Sequence, residues 1–285
     1  MPLGRLLVLQ LAIGRFSAGL SIFLILTAMI SRARIHAAVR AFIIHFFLSL
    51  VVAVLMAFLV LGVWFPHPLR YLAGGLDLFW ILVGVDVVCG PVLTGLLYTP
   101  AKPRRELIMD LSLIVIIQLG ALIYGIYSIA QARPVVLVFE SDRFVSVAAA
   151  QVDVAALPQA LPQWQSLSWS GPILLGTRKA RDGIETLKSI ELSLRGLEPS
   201  ARPNWWQSYN DSRPLARQRM KPLPDLRAQQ VPEVQAAIDG AVKKAGVPID
   251  QIHYLPLVSQ KSLDQWIALL DGEANIIGYA PVGGF

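Results

Sequence analysis

The amino-acid sequence predicts an integral membrane α-helical bundle followed by a small extracytoplasmic α+β domain with an antiparallel sheet. Three observations carry this reading. The 285 residues are 55% hydrophobic and only 15% charged, where a soluble domain has roughly 45–50% apolar and about 25% charged residues. Three runs reach the ~20 mostly apolar residues that a helix needs to cross a bilayer. The basic groups collect around those runs: residues 1–133 carry ten Lys and Arg against four acids, which is the whole net charge of +6, whereas residues 134–285 carry fifteen of each. The pI near 9.6 therefore reflects charges flanking membrane segments, and no nucleic-acid partner is expected. One cysteine excludes an internal disulfide framework, and four histidines leave little material for a metal cluster. Neither a metal nor a cofactor is expected.

The spans follow in order. Residues 41–63 hold no formal charge, residues 78–99 are interrupted only by Asp86, and residues 111–130 are again uncharged. Short loops, 64–77 and 100–110, separate them. Arg32, Arg34 and Arg40 precede the first span and Lys102, Arg104 and Arg105 follow the second, whereas the 64–77 loop has only Arg70. The positive-inside rule then places 31–40 and 100–110 in the cytoplasm and everything after about Arg133 in the periplasm. Trp64, Phe65, Tyr71 and Trp80 collect at the outer boundary, as membrane aromatic belts do. The resulting scheme is an extra N-terminal segment over 1–32, a transmembrane domain over 33–133 and a periplasmic domain over 134–285. Residues 6–30 are apolar enough for a fourth span, but Arg15 sits mid-run. Two readings stay open, an additional span or a mis-called start with Met29 as the true one. A signal peptide fits worse, because the run is split and lacks a small-x-small cleavage site.

The second span carries the candidate membrane site. Asp86 lies about nine residues into it, near mid-membrane, where an ionisable group is costly and marks a functional hypothesis. The plainer alternative is a carboxylic acid bonded to a carbonyl or to a neighbouring helix. Pro91 removes the donor due to the Val87 carbonyl, and with Gly90 it predicts a kink. Gly90 and Thr94 make a small-xxx-small face, as do Ala121 and Gly125 on the third span and Ser49, Ala53 and Ala57 on the first. Such faces let helix backbones approach closely. Asp110 does not complete a carboxylate pair with Asp86: it opens the third span, roughly 15 Å shallower. At a helix N-terminus its charge suits the dipole. His45 reads as a packing residue nearer the cytoplasmic side.

In the outer domain, residues 135–139 and 143–148 flank Glu140-Ser141-Asp142 as a hairpin. Residues 157–172 read as loop. Ile184, Leu187, Ile190, Leu194 and Leu197 form a helical stripe that Asp182 could cap. Residues 199–230 carry five prolines and read as an extended or mobile connection. Residues 232–245 read as a helix with Gly246 past its end, followed by strands over 252–258 and 265–270 and a second hairpin through Asp271-Gly272. Trp205, Trp206, Arg217 and Arg219 are candidates for a partner surface, set against the alternative that the tryptophans close a small core. His253 reads as structural, and no nucleophile-elbow, HExxH, Walker or dinucleotide motif occurs in the right context. An enzyme is not expected.

The run from Gly84 to Thr94 resembles the signature of the type IV pilin accessory proteins (TfpX/TfpZ family). So do Arg40-Ala41-Phe42-Ile43-Ile44-His45, the third span with Asp110, Gln118, Ala121 and Gly125, and the exit through Arg133-Pro134-Val135 and Asp142-Arg143-Phe144. The likeness covers about 40–285 and is strongest to about 148. Cys89 stands where an aliphatic residue would be expected. The resemblance implies a non-enzymatic inner-membrane factor that aids stability or assembly of a major type IV pilin, with that pilin and other inner-membrane assembly proteins as partners. Pilin helices carry an acidic group near their start, to which a protonated Asp86 could hydrogen-bond. The alternative is a membrane-anchored extracytoplasmic sensor or binding protein, for which the 100–110 loop is a meagre cytoplasmic output.

Overall fold

A computed structural model describes residues 32–285; the expectation for the N-terminal apolar segment lies outside the described residues. Among the described residues three helices are long and apolar enough to cross a membrane. The first is α1 (Arg32–Ala57), which continues as π-helical turns over Phe58–Trp64. After the short α2 (Leu69–Leu72), the second rises as α3 (Gly75–Gly84), passes through a π segment (Val85–Cys89) and ends as α4 (Gly90–Leu97). The third is α5 (Arg104–Ala132). Their outward faces are apolar, with Ile44, Leu48, Phe58 and Ile116 all well exposed. That much exposed hydrocarbon suits a bilayer and not water. The second helix is the most enclosed: 28% of its apolar window is buried, against 11% and 6% in the other two.

The chain then forms β1 (Pro134–Glu140), β2 (Arg143–Ala148), β3 (Ile173–Thr177), α6 (Gly183–Leu194), β4 (Trp206–Ser208), α7 (Tyr209–Arg219), β5 (Lys221–Pro222), α8 (Leu223–Ala228), α9 (Pro232–Ala245), β6 (His253–Val258), β7 (Trp266–Leu270) and β8 (Ile276–Ala280). The strands make one sheet in the order β4-β3-β1-β2-β6-β7-β8, with β5 paired to β6. The expected antiparallel sheet is corrected to a mixed one, because β1 pairs β3 in parallel and β2 pairs β6 in parallel. The antiparallel hairpins β1–β2 and β7–β8 are local, and their turn residues announce them. Parallel neighbours need long crossovers, and strand periodicity says nothing about which strands those bring together. β1 is central, and its run Val135–Phe139 is buried on both faces, which explains its unbroken apolar sequence.

The proline-rich stretch is also corrected. Residues 199–230 are not a mobile connection; they hold α7, α8 and two short strands. Ser208 caps α7 by accepting the Asn210 N–H at 3.3 Å. Tyr209, Ser212 and Ala216 are buried, and a Cβ at Gly176 of β3 would overlap the Ser212 hydroxyl, so α7 sits close on the sheet. Tyr209 Oη–H donates to the Ala274 carbonyl at 2.6 Å, and burial pushes its phenol up to about 12. α9 ends at Gly246, whose φ of 70° closes the helix by donating to Val242.

By contact the described chain forms two units. One is the described part of Met1–Val54 with Leu82–Ile123; the other is Leu55–Ile81 with Tyr124–Phe285. In the second unit the 64–77 segment is tied to the sheet. Ser259 Oγ–H donates to the Leu72 carbonyl at 2.8 Å, Lys261 pairs with Asp77, and Tyr71 stacks on Trp266 at 6.0 Å between ring centres. The aromatic-belt expectation divides accordingly. Tyr71 and Trp80 are exposed, but Trp64 and Phe65 are 5% and 0% exposed and pack into protein. Gly75 makes room for the Phe65 ring. Arg133 lies over Trp169 at 3.9 Å and donates to the Ala130 carbonyl at 2.5 Å.

Candidate functional site: a polar seam within the spans

The first unit holds the sequence-predicted membrane residues. Asp86 sits in the Val85–Cys89 π segment and is 8% exposed. In π geometry each carbonyl looks five residues ahead. The donor that Pro91 lacks is therefore the one due to the Asp86 carbonyl, and not to the Val87 carbonyl as an uninterrupted α-helix would have it. The Gln118 side-chain amide of α5 fills that vacancy, Nε2–H donating to the Asp86 carbonyl at 3.3 Å. Gly90 is what admits the amide, since a Cβ there would overlap it. One turn on, Thr94 Oγ1 lies 2.6 Å from His45 Nδ1 of α1. Gly90, Pro91 and Thr94 are all buried. The small-xxx-small face of the second helix thus receives a polar side chain from each of the other two. In an apolar medium such bonds hold helices together at about 0.6–2 kcal/mol each.

The Asp86 carboxyl takes no part in this pairing. Its Oδ1 is buried without a hydrogen-bond partner among the described residues. It is a hydrogen-bonding group inside the spans with unused capacity. Asp110 is elsewhere. The helix begins at Arg104, so Asp110 is not at its N-terminus as expected; it lies within α5 and pairs with Lys102 at 2.6 Å. Pro103 explains the earlier start, its carbonyl accepting the Leu107 N–H at 3.1 Å. His45 and Gln118 were the residues that spacing alone did not join to the site. A polar side chain on an otherwise apolar span was the available signal for each.

In the outer domain the candidate partner surface is corrected. Trp205 and Trp206 are 7% and 5% exposed. The guanidinium groups of Arg178 and Arg202 both lie against the Trp205 ring, at 4.5 and 4.7 Å, and Trp206 Nε1–H donates to the Ser200 carbonyl at 2.8 Å. Both close the core beside β3 and β4 because their rings find cationic and carbonyl partners inside the domain. Arg217 and Arg219 stay exposed, and Arg217 pairs with Glu273. Among the described residues no group of three or more His, Cys, Asp or Glu could hold a metal ion.

A family model described as Fimbrial assembly protein FimB matches residues 33–74, the stretch from the start of α1 to the loop before α3. Over 242 residues the chain is 37% identical to a fimbrial assembly protein, serogroup I, of Dichelobacter nodosus, covering 85% of this chain and 94% of that relative. A serogroup E1 counterpart from the same organism is 36% identical over the same coverage. A third, of serogroups C1 and C2, is 48% identical over 117 residues, 41% of this chain and 89% of the relative. No solved structure matches the chain.

Proposed function

Because this chain belongs to the fimbrial assembly protein family, we propose that it is a non-enzymatic inner-membrane accessory factor of type IV pilus assembly, and that it works by contacting the major pilin. In this reading the N-terminal end of α1 and the 98–103 loop face the cytoplasm and the sheet domain lies in the periplasm. The spans meet the apolar helix of a pilin subunit, and the sheet domain meets its head.

The observation that carries the reading is the Asp86 carboxyl, buried within the spans with an oxygen that no described residue bonds. Gln118 and Thr94 join the helices to one another, so Asp86 is not needed to do so. A carboxylic acid with free capacity in the bilayer is suited to a passing helix that brings its own polar group, such as the acidic group near the start of a pilin helix. One such bond is worth about 0.6–2 kcal/mol. That strength favours transient handover over permanent complex formation.

Coexpression with the cognate pilin tests this. Asp86→Asn keeps a hydrogen-bonding side chain and is expected to retain most pilus assembly and pilin capture. Asp86→Leu is expected to reduce capture severalfold while the protein itself accumulates normally. Wild-type behaviour of the Leu variant would remove Asp86 from the mechanism.

A further inference from the structure

We propose that the groove between α1, α4 and α5 at the Arg40 end of the spans is a binding site for one anionic phospholipid, with Arg40 taking the phosphate and the groove wall taking an acyl chain. The proposal is independent of any contact with pilin.

The groove encloses about 770 Å³. Its wall is hydrocarbon, contributed by Ile44 and Leu48 of α1 and by Leu111 and Val115 of α5. Ile44 and Leu48 are 60% and 64% exposed, so the wall is open to the bilayer. Arg40 and Tyr98 line it where this apolar wall gives out, and His36, one turn before Arg40, continues the lining beyond them. The His45–Thr94 contact joins α1 to α4 and forms part of the lining.

Depth fits a lipid. Arg40 and Leu48 are eight residues apart on one helix, roughly 12 Å at 1.5 Å per residue. Half of a hydrocarbon core is about 15 Å. A headgroup held at Arg40 would therefore lay its chain along a wall that runs most of one leaflet. Charge selects the kind of lipid. Among the described residues no Asp or Glu lines the groove, so the ammonium of a zwitterionic headgroup would meet no counter-charge from them. Arg40 pairs with no acid among the described residues, whereas Lys102 is already taken by Asp110. A guanidinium presents a planar fork of donors that matches phosphate oxygens. Basic pockets between membrane helices recognise acidic headgroups in this way. A partner helix without an acidic group would use the wall but leave the cation unanswered.

The test is native mass spectrometry of the full-length protein released from nanodiscs of equal phosphatidylglycerol and phosphatidylethanolamine. One retained phosphatidylglycerol per chain is expected, preferred roughly fivefold, the worth of one basic group against an acidic lipid. Arg40→Ala should abolish the preference, Arg40→Lys should keep most of it, and Arg104→Ala, outside the groove, should leave it unchanged. Val115→Trp, which crowds the wall, should lower retention of both lipids; this variant keeps the test decisive if Arg40→Ala fails to fold. Equal retention of the two lipids by the wild type, or an undiminished preference in Arg40→Ala, would overturn the proposal. So would photocrosslinking from position 44 that traps a protein helix and no lipid.

Discussion

At position 90 a single methyl group would occupy the space that the Gln118 amide fills. The side-chain bond to the Asp86 carbonyl depends on that space, and the carbonyl needs the bond because Pro91 cannot supply one. Gly90→Val is therefore expected to expel the amide and to destabilise the spans by about 1–3 kcal/mol, the cost of overpacking and of a stranded carbonyl. Gly84→Ala is the matched control, since a Cβ there meets nothing within 4 Å. Thermal unfolding of the two variants in detergent should separate them; equal melting temperatures would mean that the Gln118 contact contributes nothing. Part of this site is legible from composition. An acid, a glycine and a proline within six residues of an apolar span announce a break in the helix. Which carbonyl the break frees is not legible, because that depends on whether the turn is α or π.

At the scale of the element, α6 is a helix without a buried residue. Its apolar stripe faces outward, with Ile184, Leu187 and Leu194 at 80%, 71% and 84% exposure. A twelve-residue helix has little stability of its own in water, so its ends matter. Asp182 caps it by accepting the Glu185 N–H at 2.7 Å, and Arg178 grips the Glu185 carboxylate through two hydrogen bonds of 2.9 and 2.6 Å. Those bonds hold the Glu185 pKa down to about 2 from its ordinary 4.5. A lowered folded-state pKa contributes stability that is present above 4.5 and is lost as the pH falls towards 2. Amide hydrogen exchange across 183–194 should accelerate in Glu185→Gln at neutral pH while β1 and β6 keep their protection. Unchanged exchange in that variant would show that the cap alone holds the helix. The stripe and its Asp cap are readable as a pattern; whether the stripe turns inward is a tertiary matter. α7 teaches the converse. Its prolines and charges read as a linker, yet Tyr209, Ser212 and Ala216 find the sheet and make it a helix.

For the whole molecule, the proposed orientation makes a direct demand. In a Cys89→Ser background, a cysteine at Lys179 should react with a membrane-impermeant maleimide in spheroplasts, and one at Lys102 should react only after lysis. The reverse pattern would place the sheet domain in the cytoplasm and end the proposed contact with a pilin head. The sequence by itself determined the membrane character, the three long apolar helices, the acid within the second of them and the local hairpins, because each rests on neighbours along the chain: run length, flanking charge and turn residues. Only the tertiary structure decided that Gln118 and His45 answer the second span, that Trp205 and Trp206 are core and not surface, and that β2 lies parallel to β6. Those features join residues far apart in the chain, and what selects them is mutual fit, the room beside Gly90 or the guanidinium groups beside Trp205, which no periodicity within a single segment can encode.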